Sequence, residues 1–538
     1  MRLILFGLFL FTSWQCYSKP RLERPKLVVG IVVDQMRPDF LYRYYDRYGH
    51  GGFKRLMKEG HECQNTLINY LPSYTGPGHA AIYTGSVPAL HGISSNDWYE
   101  RSNSKAMYCV ADSEVKGVGG SDKAGKMSPK NLWANTITDE LRLATNFKSK
   151  TIAISLKDRA SILPGGHTSN GSYWLDDSLG YFMTSTFYMN DLPQWVQEFN
   201  GKKLAESYMN QGWNTLYPIQ TYAMSTSDNN RYEGRYLSDS FPTFPHRLSP
   251  LKKSDIRKTC YGNDLIKDFA LSALEGEDLG NDDITDFLCI SFSSTDYVGH
   301  QFGPNSIEAE DCYLRLDKNL EEILNTLDNK YGRNNYTVFL TADHGAAHNP
   351  AFLNDHKMPG GFLFGRKLKD TLNAMLFSKF QYKNLIQDVS ENYIWLSDSA
   401  LSTKVISRDN LLQATLDLVK FMPEITFAVD INQVQQASIP DVIRTMALNG
   451  FVRKRSGDIL LLLNPGWIDA YYKTGTTHGT WNPYDTHIPL LWFGWGIQPG
   501  TTLRETYMTD IAATLATLLH IQMPNSCIGK TITELIKP

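Results

Sequence analysis

The sequence predicts an α/β fold in which a mostly parallel sheet carries helices on both faces. Short, continuous apolar runs rich in β-branched residues recur along the chain, a pattern typical of parallel strands that are buried on both sides. Amphipathic segments lie between several of these runs, and alternation of strands with helices indicates a sheet covered on both faces. With 42% hydrophobic and 20% charged residues in 538, the composition excludes a disordered, collagen-like or polytopic membrane chain.

The expected elements follow from those patterns in chain order. Three helices are predicted, over residues 132–143 after Ser128-Pro129, over 307–327 and over 510–519. The predicted strands are 26–33, 151–156, 287–292, 337–340 and 488–493.

Two stretches interrupt the alternation of strands and helices. Residues from about 180 to 280 are rich in Tyr, Trp, Asn, Ser and Pro, and residues from about 350 to 455 mix helices with polar segments. We expect both to be insertions that cap one edge of the sheet. Residues 19–538 are therefore predicted to form a single domain with two insertions.

Residues 1–18 have the layout of a signal peptide, with Arg2 ahead of an apolar run and small residues before Lys19. The run is short for a transmembrane helix, so no stable membrane insertion is expected after cleavage. We expect a periplasmic or secreted protein. Lipid attachment at Cys16 is the alternative, and Gln15 is a poor neighbour for it.

Charge and cysteine spacing exclude two further classes. The 53 Lys and Arg nearly balance the 56 Asp and Glu, for a net charge of −3. No large basic surface is therefore expected to bind nucleic acid, and any anion must be held by a local cluster of charge. The cysteines show no CxxC spacing, which argues against a structural zinc finger.

Metal-ligating side chains follow three of the predicted strands. Asp34 follows the first strand, Asp343 and His344 follow the fourth, and Asp296 with His300 follows the third. Ligands of open parallel sheets bind beyond the carboxyl ends of the strands, so these side chains should meet at one edge. Carboxylate and imidazole are ordinary zinc ligands, and the four-residue offset of Asp296 and His300 lets both reach one ion. The sequence thus predicts a metal site.

A further histidine and a nucleophile complete the candidate site. His478 lies in loop 475–479, which has a glycine at each end. It is preferred over His487 as a metal ligand, because His487 begins an apolar run. Thr75 precedes Pro77, an early helix residue, so its hydroxyl should lie at the positive N-terminus of a helix. A neighbouring zinc ion would make this hydroxyl a nucleophile, whereas a simple helix cap is the alternative.

In this order the motifs resemble those of the alkaline phosphatase superfamily, and most of all its PafA-type, phosphate-irrepressible bacterial alkaline phosphatases. The resemblance runs from about residue 25 to the C-terminus. The motifs that carry it are Asp34, the Thr75 loop, residues 95–99, residues 155–160, Asp296-x-x-x-His300, residues 343–345 and His478.

The resemblance implies roles for ten side chains and a cofactor of two Zn²⁺ per chain. Thr75 would attack phosphorus and become phosphorylated, while Asn96, Lys157 and Arg159 would bind the phosphoryl oxygens. One zinc ion would be held by Asp296, His300 and His478, and the other by Asp34, Asp343, His344 and Thr75.

Formal charge then favours phosphate monoesters as substrates. Two zinc ions, three carboxylates and a threonine alkoxide sum to zero, so Lys157 and Arg159 leave two positive charges that match a monoester dianion. In extended backbone, side chains two residues apart point the same way, so both should reach the substrate. We expect a monomeric, exported alkaline phosphatase acting on many small monoesters.

The sequence leaves three alternative functions. The nearest is a phosphodiesterase or nucleotide pyrophosphatase of the same superfamily, which by the resemblance would share the zinc ligands and threonine but not the Lys157/Arg159 pair. A sulfatase would need a Cys- or Ser-centred motif in place of the Thr75 loop. A non-enzymatic zinc-dependent binding or sugar-binding protein is suggested only by the aromatic residues of the insertions.

Overall fold

The computed structural model describes residues 23–101, 103, 105–249 and 251–537, so the predicted signal peptide lies outside the described residues. A ten-stranded sheet forms the centre of the fold. Its strands are β1 Leu27–Val33, β2 His61–Cys63, β3 Gly117–Val118, β4 Thr151–Ser155, β5 Gly171–Asp176, β6 Tyr181–Ser185, β7 Asp286–Phe292, β8 Tyr336–Thr341, β9 Leu490–Gly494 and β10 Gly500–Thr502.

The strand order is β10-β2-β9-β8-β1-β7-β4-β5-β6-β3. Strands β8, β1, β7, β4 and β5 run parallel, whereas β9 and β6 are each antiparallel to their neighbours. All seven residues of β1 are buried, as expected for a strand covered on both faces. The predicted α/β sheet is confirmed, and the five predicted strands are β1, β4, β7, β8 and β9.

Two groups of helices cover the sheet. Helices α1, α2, α3 and α7 pack on one another, as do α4, α5 and α6, and members of both groups contact the central strands β4 and β7. The helices are α1 Thr75–Thr84, α2 Ile137–Ala144, α3 Asp158–Gly165, α4 Tyr261–Gly276, α5 Ser294–Phe302, α6 Ile307–Tyr331 and α7 Asp510–Leu519.

The predicted helix over 132–143 is wrong at its start. Thr136 caps α2 by accepting a hydrogen bond from the Asp139 backbone N–H, while the Asp139 carboxylate accepts one from the Thr136 N–H. This reciprocal cap begins the helix at Ile137. Ser128-Pro129 instead opens a 3₁₀ turn, Pro129–Asn131. The helix over 510–519 is confirmed, and the long helix continues to Tyr331.

The stretch from 180 to 280 belongs to the central fold at both ends, since β6 lies in the sheet and α4 packs against β4 and β7. Between them lie helices Gln194–Gly201 and Leu204–Asn210, followed by irregular chain.

The stretch from 350 to 455 builds most of a second layered unit, which we call the cap. Its antiparallel sheet has the order Ile386–Ser390, Tyr393–Leu396, Ile459–Leu463, Ile425–Asp430, so the cap extends past residue 455. Its helices are Pro350–Asp355, Gly365–Phe380, Asp398–Ser402, Arg408–Val419 and Asp441–Gly450.

Short elements connect these layers. They are the helices Asp39–Arg43, Phe53–Glu59, Pro88–His91, Asp122–Gly125 and Pro483–Thr486, and the strands Thr66–Leu67, Asp97–Glu100, Lys105–Tyr108, Gly361–Leu363, Trp467–Asp469, His487–Ile488 and Thr506–Tyr507. The six cysteines of the described residues are free thiols. In the same part of the chain, no helix has the length and apolarity needed to cross a membrane.

Candidate active site

Three adjacent strands bring the predicted carboxylates to one edge of the sheet. Asp34 directly follows β1, Asp343 lies two residues beyond β8, and Asp296 lies in the first turn of α5, which follows β7. Because β7 and β8 flank β1 in parallel register, their carboxyl ends converge. The three side chains are buried, with 0%, 0% and 2% exposure for Asp34, Asp343 and Asp296.

Two groups of side chains have the proximity needed to hold a metal ion. Asp296, His300 and His478 form one group, and Asp34, Asp296 and His344 form the other, with the ligand atoms of each group within 4.8 Å of one another. Asp343 lies outside both groups, although its Oδ2 is 3.4 Å from His344 Nε2.

The residues present fit a metal. Asp34 Oδ1 and Asp343 Oδ2 are buried oxygens without a hydrogen-bond partner among the described residues. A buried carboxylate oxygen without a donor is costly, and a cation would satisfy it. The donor set of carboxylate and imidazole is the one that zinc takes in proteins.

The backbone fixes the orientation of the three histidines. Nδ1 of His300, His344 and His478 lies 2.8 Å, 3.0 Å and 2.9 Å from the carbonyl oxygens of Thr476, Gly345 and Ser73. A carbonyl can only accept, so each Nδ1 carries the proton and each Nε2 presents its lone pair to the site. The rings of His344 and His478 also stack, with centroids 3.4 Å apart.

Gln35 orients two of the carboxylates, a role that the sequence did not reveal. Its side-chain amide donates to Asp296 Oδ1 at 2.6 Å, and its backbone N–H donates to Asp343 Oδ1 at 3.2 Å. The residue has a φ of 65°, which turns the chain sharply after Asp34. A polar residue directly after a ligand was the only available signal, and it is too common to be diagnostic.

Thr75 is the first residue of α1, as predicted, and is 1% exposed. Its Oγ1 lies 3.4 Å from His344 Nε2 and 3.5 Å from Lys157 Nζ. Tyr74 occupies the N-cap position of α1, and the hydrogen bonds of Thr75 Oγ1 within the described residues go to these two side chains and not to helix backbone. The hydroxyl therefore faces the carboxylate and histidine groups and does not cap the helix.

Lys157 lies between two of the carboxylates. Its Nζ donates at 2.6 Å to both Asp34 Oδ2 and Asp296 Oδ2, and the side chain is nearly fully buried. Opposing buried charges this close stabilise each other strongly relative to either one alone. The lysine therefore neutralises part of the negative charge at the strand ends.

Arg159 reaches the site differently from our expectation. The idea that Lys157 and Arg159 share an extended segment is wrong, because α3 begins at Asp158 and places Arg159 in its first turn. The Arg159 guanidinium donates to the Tyr108 hydroxyl at 3.0 Å. Lys157 and Arg159 nevertheless line the same cavity of about 400 Å³.

Asn96 is held beside the nucleophile candidate. Its Oδ1 accepts a hydrogen bond of 2.8 Å from the Gly76 N–H. The residue directly precedes the strand Asp97–Glu100, whose pairing partner carries Tyr108, the tyrosine that contacts Arg159. One hairpin thus positions both Asn96 and Arg159, and the amide nitrogen of Asn96 stays available to a ligand.

The buried charges shift one another's protonation. Burial raises the pKa of Asp34, and the neighbouring Asp343 adds to the effect. Burial also acts to raise the pKa of Asp296, but His300 and Lys157 outweigh it and hold that pKa well below its usual range. Burial lowers the pKa of His344 and His478, which keeps both imidazoles neutral. Neutral imidazole and ionised carboxylate are the forms that bind metal.

The remaining histidines do not join these groups. His487 pairs with Leu67 in a separate short sheet, and its Nε2 donates to the Gln64 carbonyl. His79 is buried nearby, but its two ring nitrogens contact the Thr75 carbonyl and the Ser291 hydroxyl at 3.0 Å and 2.9 Å. His79 thus supports the start of α1 and does not offer a ligand atom.

An Asp/His cluster and a helix-end hydroxyl at the rim of a mostly parallel sheet define a hydrolase of the alkaline phosphatase superfamily. Residues 28–486 match the family described as Type I phosphodiesterase / nucleotide pyrophosphatase, and the chain belongs to that family. The resemblance noted in the sequence is thereby confirmed.

Relatives define the type more closely. The chain is 48% identical to the alkaline phosphatase PafA of Elizabethkingia meningoseptica over 96% of this chain and 95% of the relative. It is 49% identical to the alkaline phosphatase PhoV of Synechococcus elongatus over 96% and 94%. A Myroides odoratus protein named calcium-transporting ATPase is 48% identical over 99% of both chains. The chain is thus a homologue of the PafA/PhoV-type alkaline phosphatases.

Solved structures agree with this placement. A crystal structure of wild-type PafA has a TM-score of 0.94 and covers 96% of this chain and 100% of that one, at 48% identity. A second PafA structure, with the same TM-score of 0.94 and 46% identity, is of a variant in which a threonine, an asparagine, a lysine and an arginine are replaced.

Proposed function

We propose that the protein is an exported phosphate monoesterase that uses two zinc ions and forms a phosphothreonine at Thr75. The observation that carries the proposal is the buried Thr75 hydroxyl, 3.4 Å from His344 at the start of α1 and 3.5 Å from Lys157. The replacement of one threonine, asparagine, lysine and arginine in a PafA variant supports the choice of Thr75, Asn96, Lys157 and Arg159.

Seven residues would hold the metal. Asp296, His300 and His478 would bind one Zn²⁺, and Asp34, Asp343, His344 and Thr75 Oγ1 the other. Bound zinc supplies Lewis acidity that favours the ionised hydroxyl and stabilises charge on the leaving oxygen.

Thr75 performs the bond-making step. Its Oγ1 forms a bond to phosphorus while the bond from phosphorus to the alcohol oxygen breaks, and the alcohol departs. Water then attacks the phosphothreonine, which releases inorganic phosphate and restores the hydroxyl. The N-terminus of α1 favours the negative charge that develops beside Thr75.

Three side chains would bind the phosphoryl oxygens. Lys157 Nζ is 3.5 Å from Thr75 Oγ1 and supplies a compact charge, while Arg159 supplies a planar pair of donors at the same cavity. Asn96 offers its amide nitrogen, because its oxygen is engaged by Gly76. Two fixed cations match a dianionic monoester better than a monoanionic diester.

The test begins with the nucleophile. Thr75→Ala should lose nearly all hydrolysis of p-nitrophenyl phosphate, whereas Thr75→Ser should retain much of it because the attacking oxygen remains. Thr84→Ala, at the other end of α1, is the matched control. Acid-quenched wild-type protein should carry phosphate on the peptide that contains Thr75. Undiminished turnover by Thr75→Ala would refute the proposal.

A phosphodiesterase is the second candidate, because the matching family carries that description. The two are separated by kcat/KM for a monoester, a diester and a sulfate ester measured side by side. In a monoesterase, Arg159→Ala should lower monoester kcat/KM by about ten- to a hundredfold, the loss of a hydrogen bond to a charged group, and diester kcat/KM far less. An equal loss on both esters would favour general anion attraction.

Export is proposed from residues 1–18, and it is tested independently of activity. Sequencing of the mature N-terminus should begin near Lys19. A lipid on Cys16 would identify the anchored form, and an intact Met1 on the active protein would contradict export.

A further inference from the structure

A second cavity adjoins the metal groups on the side of His300. We call it the His300 pocket, and its volume of about 470 Å³ falls in the range of about 300–1,000 Å³ typical of small-molecule sites. Its lining includes His300, Tyr297, Tyr471, Tyr472, Thr474 and Thr477.

The position of this pocket associates it with the leaving group. In a two-metal displacement one ion serves the attacking oxygen and the other the leaving oxygen. Thr75 lies 3.4 Å from His344 and therefore belongs with the group of Asp34, Asp296 and His344. The group of Asp296, His300 and His478 remains for the leaving oxygen. The alcohol attached to that oxygen would extend past His300 into the pocket.

The pocket presents two aromatic rings to solvent. Tyr471 is 93% exposed and Tyr472 is 77% exposed. Within the described part of the chain, neither ring has a hydrogen-bond, stacking or cation–π partner. Exposed aromatic side chains beside a cavity typically mark a binding surface, because apolar area left in water costs free energy.

The loop that carries these rings is fixed at both ends. Ala470 N–H donates to the Leu363 carbonyl at 2.9 Å, and Gly475 N–H donates to the Tyr232 carbonyl at 2.8 Å. The Asn349 side chain donates to the carbonyls of Lys473 and Gly475 at 3.1 Å and 2.7 Å. Little backbone freedom remains to be lost on binding, so the tyrosines form a preorganised platform.

The basic residues of the pocket are already engaged. Lys258 Nζ lies 3.2 Å from an Asp255 carboxylate oxygen, and the Arg235 guanidinium donates to the Asp239 carbonyl at 2.7 Å. The Asp255 carboxylate offsets the charge of Lys258, and the Asp239 carbonyl holds the Arg235 guanidinium in place. Beside these groups lie aromatic faces and the hydroxyls of Thr474 and Thr477, which suit an uncharged planar ring on a hydroxylated sugar.

We infer that the His300 pocket binds the nucleoside of nucleoside 5′-monophosphates, with the base against Tyr471 or Tyr472. The inference rests on the proposed function and names its preferred substrate class. Stacking of a base on an aromatic side chain is sequence-tolerant, so purine and pyrimidine nucleotides should both be favoured.

The test compares adenosine 5′-phosphate with ribose 5-phosphate. Both leave a primary alcohol, so the reacting group is matched and the ratio of their kcat/KM values reports the base alone. Wild-type protein should prefer the nucleotide by about tenfold, and Tyr471→Ala/Tyr472→Ala should lose that preference while it still hydrolyses ribose 5-phosphate. Tyr471→Phe/Tyr472→Phe should keep it, because the ring faces remain.

Phe421→Ala is the matched control, since Phe421 is an 82% exposed ring on the cap and does not line the pocket. A ratio near one in wild-type protein, or a ratio unchanged by the double alanine substitution, would overturn the pocket assignment alone. Failure of wild-type, zinc-loaded protein to hydrolyse p-nitrophenyl phosphate or either sugar phosphate would overturn the proposed function as well.

Discussion

Replacing Lys157 with methionine should destabilise the metal-free protein far more than the loss of one surface charge would. The ammonium makes two contacts of 2.6 Å, to Asp34 and Asp296, and all three groups are at most 3% exposed. Methionine retains most of the length of the side chain but leaves both carboxylates without their cation. Breaking a buried ion pair by removing one partner costs about 3–5 kcal/mol, so we expect a loss of that order.

The assay is urea and thermal unfolding of chelator-treated protein, with and without added zinc. Arg159→Met is the matched control, because the Arg159 guanidinium donates to the Tyr108 hydroxyl and should cost less. Zinc should reduce the deficit of Lys157→Met, since a ligand that binds only the folded state stabilises it. A metal-free Lys157→Met protein that unfolds at the wild-type midpoint would refute the reasoning.

Two further predictions concern zinc affinity, through Gln35, and the pH dependence of stability, through Asp485. Gln35→Leu removes the 2.6 Å hydrogen bond to Asp296 and should weaken zinc affinity by about ten- to a hundredfold. Competitive titration with a chelator measures the zinc affinity, with Gln64→Leu as the control, and equal affinities of the two variants would contradict the prediction. Burial raises the pKa of Asp485 to about 7 from 3.8, so the folded state binds the extra proton and stability should fall as pH rises through this window. Asp485→Asn should flatten that decline in unfolding midpoints measured from pH 4 to pH 8, and an unchanged slope would rule out Asp485 as its source.

Much of the fold and of the site could be predicted because both depend on local patterns. A run such as Val28–Val33 has no charged or polar side chain, a pattern typical of a strand covered on both faces. Asp34 and Asp343 follow such strands, and parallel strands must end at one edge. The convergence of these residues is therefore a consequence of topology, which the alternation of strands and helices already implies.

The predictions that are wrong or incomplete concern helix starts and side-chain contacts that the local sequence does not determine. The start of α2 depends on the reciprocal hydrogen bonds of Thr136 and Asp139, a stronger signal than Ser128-Pro129. The prediction of extended backbone at Arg159 is wrong because α3 begins at Asp158, and nothing in the local sequence indicates that start. Gln35 was missed because its role depends on Asp296, 261 residues away along the chain.

The arrangement of charge explains how one lysine could stabilise the fold and also bind the substrate as we propose. Three buried carboxylates lie at the strand ends, and Lys157 is the cation that contacts two of them. Metal ligands must be deprotonated and assembled before they bind, so the free energy of metal binding at such a site also contributes to the free energy of folding. An ammonium that holds Asp34 and Asp296 together preassembles their carboxylates before metal binds. The same ammonium lies 3.5 Å from the Thr75 hydroxyl, where a phosphoryl group would be attacked in the proposed reaction. The residue that limits repulsion in the metal-free site is thus already positioned to favour a dianionic substrate.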